Sequence, residues 1–121
     1  MTRLASSPDT TKGDAEKRRW PRYHIDVPLR AVVRCEGAYK SVRGIGSNLS
    51  LSGLAALLPV KLVVGERIEL EVILPYSSTT LKVQAVIRNR RSYNYGMEFA
   101  NITASQQAAI ERACHSLALV Q

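Results

Sequence analysis

The sequence has few of the residues that form metal sites, disulfides or catalytic centres. It contains two cysteines, Cys35 and Cys114, and two histidines, His24 and His115. The cysteines form no CxxC pair, and the four residues lack zinc-ligand spacing, so we expect free thiols, a reducing compartment and no metal site. Neither histidine belongs to a catalytic motif, and no glycine pattern matches a P-loop or GxGxxG. The sequence therefore predicts a protein that is not an enzyme and has no cofactor.

Long apolar runs are also absent. No apolar run approaches 18 residues, and the first residues, MTRLASSPDTTKGD, contain no apolar segment of the kind found in signal peptides. We therefore expect a cytoplasmic protein without a membrane span. The length of 121 residues is that of one domain.

Negative charge is scarce relative to positive charge. The chain has 17 Lys and Arg against 10 Asp and Glu, a formal net charge of +7, and 12 of the 17 cations are arginine. A positive surface favours an anionic partner, and the planar guanidinium binds phosphates and base edges through two parallel hydrogen bonds. The arginine excess therefore indicates recognition of an anion rather than solubility alone.

Apolar and polar residues alternate along most of the chain, as in half-buried strands. Residues 1–16 lack this pattern, and their polar composition predicts a mobile tail. This alternation predicts strands at about 27–35, 39–45, 68–74, 81–88 and 95–99. A short apolar run lies at 54–58. We expect loops at 46–53 and 89–94. A capping box at 103–106 and apolar residues at helical spacing predict a helix over about 104–119. These elements indicate an antiparallel sandwich or a small barrel.

Two local features could bind a ligand. Lys17-Arg-Arg-Trp-Pro-Arg-Tyr23 places four cations and two aromatics in seven positions, where Pro21 favours an extended arm. Asn48-Leu-Ser-Leu-Ser-Gly53 places Asn48 and Ser50 at the same parity, so an extended chain would direct both side chains to one face. Gly53 permits a positive φ or a close backbone approach. The alternatives are a basic tail without a specific contact and a turn whose polar side chains bind their own backbone.

Together the two features resemble the motifs of the PilZ domain family, the bacterial receptors for cyclic di-GMP. Arg18-Arg-Trp-Pro-Arg22 matches the family's RxxxR motif, and Asn48-Leu-Ser-Leu-Ser-Gly53 matches its (D/N)xSxxG motif. Tyr95-Gly-Met-Glu-Phe99 is also similar to a closing strand of the family. The resemblance spans about residues 16 to 118, and it divides the chain into a tail (1–16) and a PilZ-like domain (17–121).

The resemblance implies a six-stranded antiparallel β-barrel, all-β apart from a C-terminal α-helix, with a flexible N-terminal arm. The arm would cover residues 18–22 and the barrel about 27–100. Arg18 and Arg22 would contact guanines and phosphates of cyclic di-GMP, Asn48 and Ser50 would bind a guanine, and Gly53 would shape the loop. We regard Arg19 and Arg88 as further candidate ligand-binding residues. Arg43, Arg90 and Arg91 either extend the site or solubilise two loops, and we favour the loops. Lys17 leaves room for a stacked pair of ligands.

The implied mechanism is an arm that orders over the dinucleotide and creates a surface for an unidentified effector protein. One alternative is a small basic barrel that binds single-stranded nucleic acid, using Trp20, Tyr23, Tyr93 and Tyr95 for base stacking. The predicted inward orientation of Tyr95 argues against this alternative, so a nucleic-acid polymer is not the expected partner. The other alternative is a PilZ-like protein-interaction module that binds no ligand.

Overall fold

The computed structural model describes residues 20–77 and 80–121, in which six antiparallel strands form a closed barrel. The chain order is β1 (Tyr23–Cys35), β2 (Ala38–Leu49), β3 (Gly53–Leu57), β4 (Arg67–Ile73), β5 (Thr80–Arg91), β6 (Asn94–Ala100) and α1 (Ala104–Val120). Around the barrel the order is β1-β2-β3-β6-β5-β4, and β4 pairs with β1. The predicted six-stranded antiparallel barrel with a C-terminal helix is confirmed. The tail and the arm before Trp20 lie outside the described residues.

The strands form where apolar side chains alternate, because one face of each strand lines the barrel interior. In β1 the buried residues are Ile25, Leu29, Ala31 and Val33, and the residues between them are exposed or half-buried. β4 and β5 continue the same pattern across the barrel, where Leu70 pairs with Val83 and both are buried. Burial of these branched side chains provides the main stabilisation of the barrel.

The first two strands are longer than the sequence predicts. β1 begins at Tyr23 rather than Val27, because Tyr23 pairs with Leu49 at the far end of β2. β2 continues to Leu49 rather than ending at Ile45, so most of the predicted 46–53 loop is strand. The residues Gly46, Ser47 and Asn48 have weak strand propensity, but pairing with β1 and β3 outweighs that preference.

The predicted loop at 89–94 is also mostly strand. β5 extends to Arg91 and β6 begins at Asn94, so only Ser92 and Tyr93 connect them, with Ser92 at φ 57°. The pairing of β5 with β6 shifts between Ile87 and Asn89, which marks a β-bulge at Arg88. Val86, predicted to face outward, is 9% exposed and therefore buried. A bulge adds one residue to a strand and changes which side chains face outward beyond it, so it affects residues 89–91 and does not explain the burial of Val86, which precedes it.

Helix α1 begins at the predicted capping box. The Thr103 hydroxyl accepts a hydrogen bond from the Gln106 backbone N–H, and the Gln106 side chain accepts one from the Thr103 N–H, at 3.1 and 2.9 Å. The helix buries Ile110, Cys114 and Leu117, as its periodicity predicts. In the described part of the chain, no helix has the length and hydropathy needed to cross a membrane.

Tyr95 is the largest fully buried side chain and fixes the loop between β3 and β4. Its hydroxyl donates a hydrogen bond to the Val60 carbonyl at 2.7 Å and accepts one from the Leu62 N–H at 2.9 Å. The predicted inward orientation of Tyr95 is therefore confirmed. A side chain with no exposed surface cannot stack on a base, so Tyr95 is not available for nucleic-acid binding.

Candidate functional site

A groove of about 680 Å³ lies on the outside of the barrel, over β3 and β6 and the ends of β2 and β5. Its volume lies within the range of small-molecule sites in proteins. The residues that line it come from four strands, the arm and the turn before β3: Trp20, Arg22, Asn48, Ser50, Ser52, Gly53, Leu54, Ala55, Arg88, Asn89, Arg90, Arg91, Gly96, Met97 and Glu98.

The turn between β2 and β3 forms one end of the groove. The Ser50 hydroxyl accepts hydrogen bonds from the Gly53 and Ser52 backbone N–H groups at 3.2 and 3.3 Å, and Ser50 is 7% exposed. The Ser50 N–H also donates to the Gly53 carbonyl at 2.9 Å. The sequence left open whether this serine binds its own turn, and in this structure it does. Ser50 therefore holds the turn in shape, while the half-buried Asn48 lines the groove beside it.

Gly53 is required by a close approach of two backbones. A Cβ at this position would collide with the carbonyl oxygen of Met97 on β6, and the backbone of Gly53 does not have positive φ. Of the two reasons that the sequence allowed for glycine here, close approach is the one that applies. The same contact places the backbone of β3 directly against the backbone of β6, so no side chain rises from the groove floor at Gly53.

Four arginines give the groove its charge. Arg22 belongs to the arm. Arg88, Arg90 and Arg91 lie at the C-terminal end of β5. Glu98 is the one acidic residue among the described residues that line the groove. The excess of arginine makes the groove an attractive site for an anion with more than one negative charge.

The β5 arginines differ in how they are held. Arg88 Nε donates to Glu98 Oε1 at 2.7 Å, and this ion pair is about half exposed. Exposed pairs contribute little to stability, so an anionic ligand can compete for Arg88. Arg90 Nε donates to the Ser92 carbonyl at 2.9 Å, and its guanidinium lies 5.9 Å from the Tyr95 ring centre.

The structure brings together all five of the described residues that the sequence selected. Arg22, Asn48, Ser50, Gly53 and Arg88 all line the groove, although they are distant in sequence. The other two candidates, Arg18 and Arg19, lie outside the described residues.

Three polar groove residues on β5 are not among the ligand-binding residues that the sequence predicts. Arg90 and Arg91 lie on β5 and line the groove, which corrects their assignment to a loop, and Asn89 lies beside them. The run Arg88-Asn-Arg-Arg91 has a high density of arginine, which was the available signal. Arg43 is exposed on β2, opposite Arg30, and does not line the groove.

Metal and thiol chemistry have no support in the described residues. Over 20–77 and 80–121, no three His, Cys, Asp or Glu residues are close enough to hold a metal ion. Both cysteines are free, and burial raises the pKa of the Cys114 thiol to about 11. His24 and His115 are exposed and lie outside the groove.

Comparison with known proteins gives a family and a fold. The PilZ domain model matches residues 16–116. No curated protein matches the chain. The PilZ domain of CeSA from a cellulose-synthesising bacterium is 19% identical, with a TM-score of 0.63 over 80% of this chain and 97% of that one.

Two further solved structures share the fold. The PilZ domain of YcgR from Escherichia coli, solved with c-di-GMP, is 19% identical, with a TM-score of 0.67 over 84% of this chain and 91% of that one. The inhibitor of motility MotI/DgrA from Bacillus subtilis is 23% identical, with a TM-score of 0.68 over 87% of this chain and 53% of that one. At these identities the likeness extends to the fold alone.

Proposed function

The chain belongs to the PilZ domain family, and from this premise we propose that it is a receptor for cyclic di-GMP. The observation that carries the proposal is the convergence of residues from both family motifs on one basic groove. Arg22 of the RxxxR motif and Asn48 of the (D/N)xSxxG motif line this groove, together with arginines of β5. The solved YcgR domain with c-di-GMP supports the choice of ligand.

The chemistry of the ligand fits these groups. Cyclic di-GMP has two phosphates and two guanines, and a guanidinium can bind a phosphate or the O6 and N7 atoms of guanine through two hydrogen bonds. Arg22, with Arg18 and Arg19 from the same arm, would supply these contacts. The Asn48 amide would accept hydrogen bonds from guanine N1–H or N2–H2, and Ser50 would act by shaping the turn beside it.

Binding would order the arm over the groove and change the surface that the protein presents. We further propose that a partner protein reads the altered surface, so that the protein acts as an adaptor. MotI, a structural neighbour, is named as an inhibitor of motility, which is consistent with an output through another protein. The partner here would recognise the arm in its closed position.

Isothermal titration with cyclic di-GMP tests the proposal directly. GTP and a short single-stranded oligonucleotide are the controls, because they share guanine and phosphate groups with the ligand. We expect saturable binding of cyclic di-GMP and none of GTP at the same concentration. The molar ratio would report whether one ligand or a stacked pair enters the groove.

Two results would contradict the proposal. Salt-sensitive binding of the oligonucleotide without binding of cyclic di-GMP would favour the nucleic-acid alternative. No binding of any of the three would favour a protein-interaction module. In either case cyclic di-GMP would not be the ligand of the groove.

A further inference from the structure

Two asparagines occupy the ends of one cross-strand row on the groove floor. Asn48 on β2 pairs with Ala55 on β3, Ala55 pairs with Gly96 on β6, and Gly96 pairs with Asn89 on β5. Adjacent strands are about 4.8 Å apart, so three steps separate the two asparagine backbones by about 14 Å. The residues between them carry a methyl group or no side chain. The floor between the two amides is therefore low enough for a ligand to lie across it.

The bulge in β5 and the absence of a side chain at Gly96 determine the position of Asn89. Strict alternation from the buried Ile87 would turn Asn89 into the barrel, but the bulge at Arg88 turns it outward. The Asn89 amide then lies over Gly96, where a Cβ would be 2.5 Å from the Asn89 Oδ1. Glycine at this position thus leaves space for the Asn89 amide on the groove floor.

The Asn89 amide is exposed and has no hydrogen-bond partner in the described part of the chain. An amide offers two donors and an acceptor in one plane, so it can bind the O6 and N7 atoms of guanine or accept from N1–H and N2–H2. The neighbouring Arg90 and Arg91 place positive charge at the same end of the groove. This end of the groove therefore offers the same chemistry as the end that carries Asn48 and Arg22.

We propose that Asn89 binds the second guanine of the cyclic dinucleotide and that Gly96 is the positioning residue that makes this contact possible. The inference rests on the proposed function, since it assigns the second half of the same site. Neither family motif includes Asn89. A ligand with two equivalent bases would use two equivalent amides, one at each end of the row, with arginines beside each.

The test compares Asn89→Ala with Asn94→Ala by isothermal titration of the full chain with cyclic di-GMP. Asn94 is an exposed asparagine on the same β-hairpin, and it does not line the groove. We expect Asn89→Ala to weaken binding about tenfold, the lower range for loss of a two-bond contact to a base. The affinity of Asn94→Ala for cyclic di-GMP should stay within about twofold of the affinity of the unmodified chain.

Gly96→Ala tests the positioning role. The added methyl group meets the end of a flexible side chain, so the barrel should fold and the Asn89 amide should move. We expect about tenfold weaker binding from Gly96→Ala alone and no further loss when it is added to Asn89→Ala. An equal loss in both backgrounds would show that the floor itself is needed and would overturn the positioning role.

The outcomes separate the two proposals. If the unmodified chain does not bind cyclic di-GMP, the proposed function fails and the second contact fails with it. If the unmodified chain binds and Asn89→Ala binds equally well, the receptor function stands and the assignment of Asn89 is wrong. If Asn94→Ala loses as much as Asn89→Ala, the loss comes from the hairpin rather than from the amide, which also overturns the assignment.

Discussion

Arg22 is the residue where the sequence motif and the groove coincide, since it is the described arginine of the RxxxR motif. We expect Arg22→Ala to weaken cyclic di-GMP binding about 10- to 100-fold, because a charge-assisted contact to phosphate or guanine is lost. The melting temperature should change little, because Arg22 is exposed and precedes the first strand. Isothermal titration and thermal unfolding together measure both effects.

Arg112→Ala is the matched control for that substitution. Arg112 is exposed on α1 and does not line the groove, so its removal lowers the net charge equally without touching the site. Equal affinities for the two variants would mean that Arg22 does not contact the ligand, even if the protein is a receptor.

Gly53 has a structural role that a stability measurement can isolate. In Gly53→Ala the new methyl group would meet the Met97 carbonyl, a backbone atom that cannot move without displacing β6. We expect a loss of about 1–3 kcal/mol in the free energy of unfolding, as for overpacked interiors. Gly96→Ala is the comparison, because its methyl group meets only a flexible amide, and it should cost under about 1 kcal/mol. Chemical denaturation that ranked the two the other way would refute this explanation.

Cys114 predicts how stability depends on pH at alkaline values. Burial raises its pKa from 9.0 to about 11, so the folded state keeps the proton after the unfolded state has lost it. The contribution of the protonated thiol to the free energy of unfolding is fully present below pH 9 and is lost as the pH rises towards 11. The free energy of unfolding falls by at most about 2–3 kcal/mol over this interval. We expect Cys114→Ala to show a shallower decline in the free energy of unfolding over this interval. A decline that Cys114→Ala leaves unchanged would contradict the prediction.

Among the elements, α1 depends on its capping box. Thr103→Ala removes the hydroxyl that accepts from the Gln106 N–H, and we expect a loss of about 1 kcal/mol and a fall of about 4 °C in melting temperature. Ser105→Ala, in the same first turn and exposed, should change the free energy of unfolding by less than about 0.5 kcal/mol. If Thr103→Ala lowered the melting temperature no more than Ser105→Ala does, the capping box would not contribute and the helix would be stabilised by packing alone.

The end of β5 shows how an element can be identified correctly while its side chains are assigned wrongly. The alternation from Leu81 to Ile87 predicts this strand, and the structure contains it. The bulge at Arg88 and the pairing of Arg91 with Asn94 are long-range consequences of the barrel register. Alternation cannot locate a bulge, because the added residue reverses the pattern that is being used.

At the scale of the whole molecule, positive charge is concentrated beside one groove, and this determines how binding should respond to salt. The chain carries a net charge of +7, and four arginines line the groove. Cyclic di-GMP has only two phosphates, so raising NaCl from 50 to 200 mM should weaken its binding by on the order of threefold. A polymer that spans six or more phosphate contacts would lose roughly a thousandfold or more. Titrations at both salt concentrations measure the difference, and a loss of the larger size would indicate a polymer ligand.

The sequence predicts an all-β fold from its own pattern, and its resemblance to the PilZ family adds the residues of the site. Alternating apolar residues need an interior to face, so the alternating segments indicate an antiparallel sandwich or a small barrel, and the resemblance to the PilZ family favours the six-stranded barrel. The two motifs selected Arg22, Asn48, Ser50 and Gly53, which the structure brings to one groove. Residue type and short spacing are sufficient to identify the two motifs, and the resemblance to the family implies the roles of their residues.

The tertiary structure alone decided which strands extend, where β5 bulges and which side chains share the groove floor. The row from Asn48 to Asn89 joins four strands, and its members are separated by up to 48 positions in the sequence. Register between strands is set by the closure of the barrel and by packing inside it, which no single segment encodes. For the same reason, the close approach of Gly53 to Met97 and the position of the Asn89 amide over Gly96 follow from the closed barrel and not from any one segment.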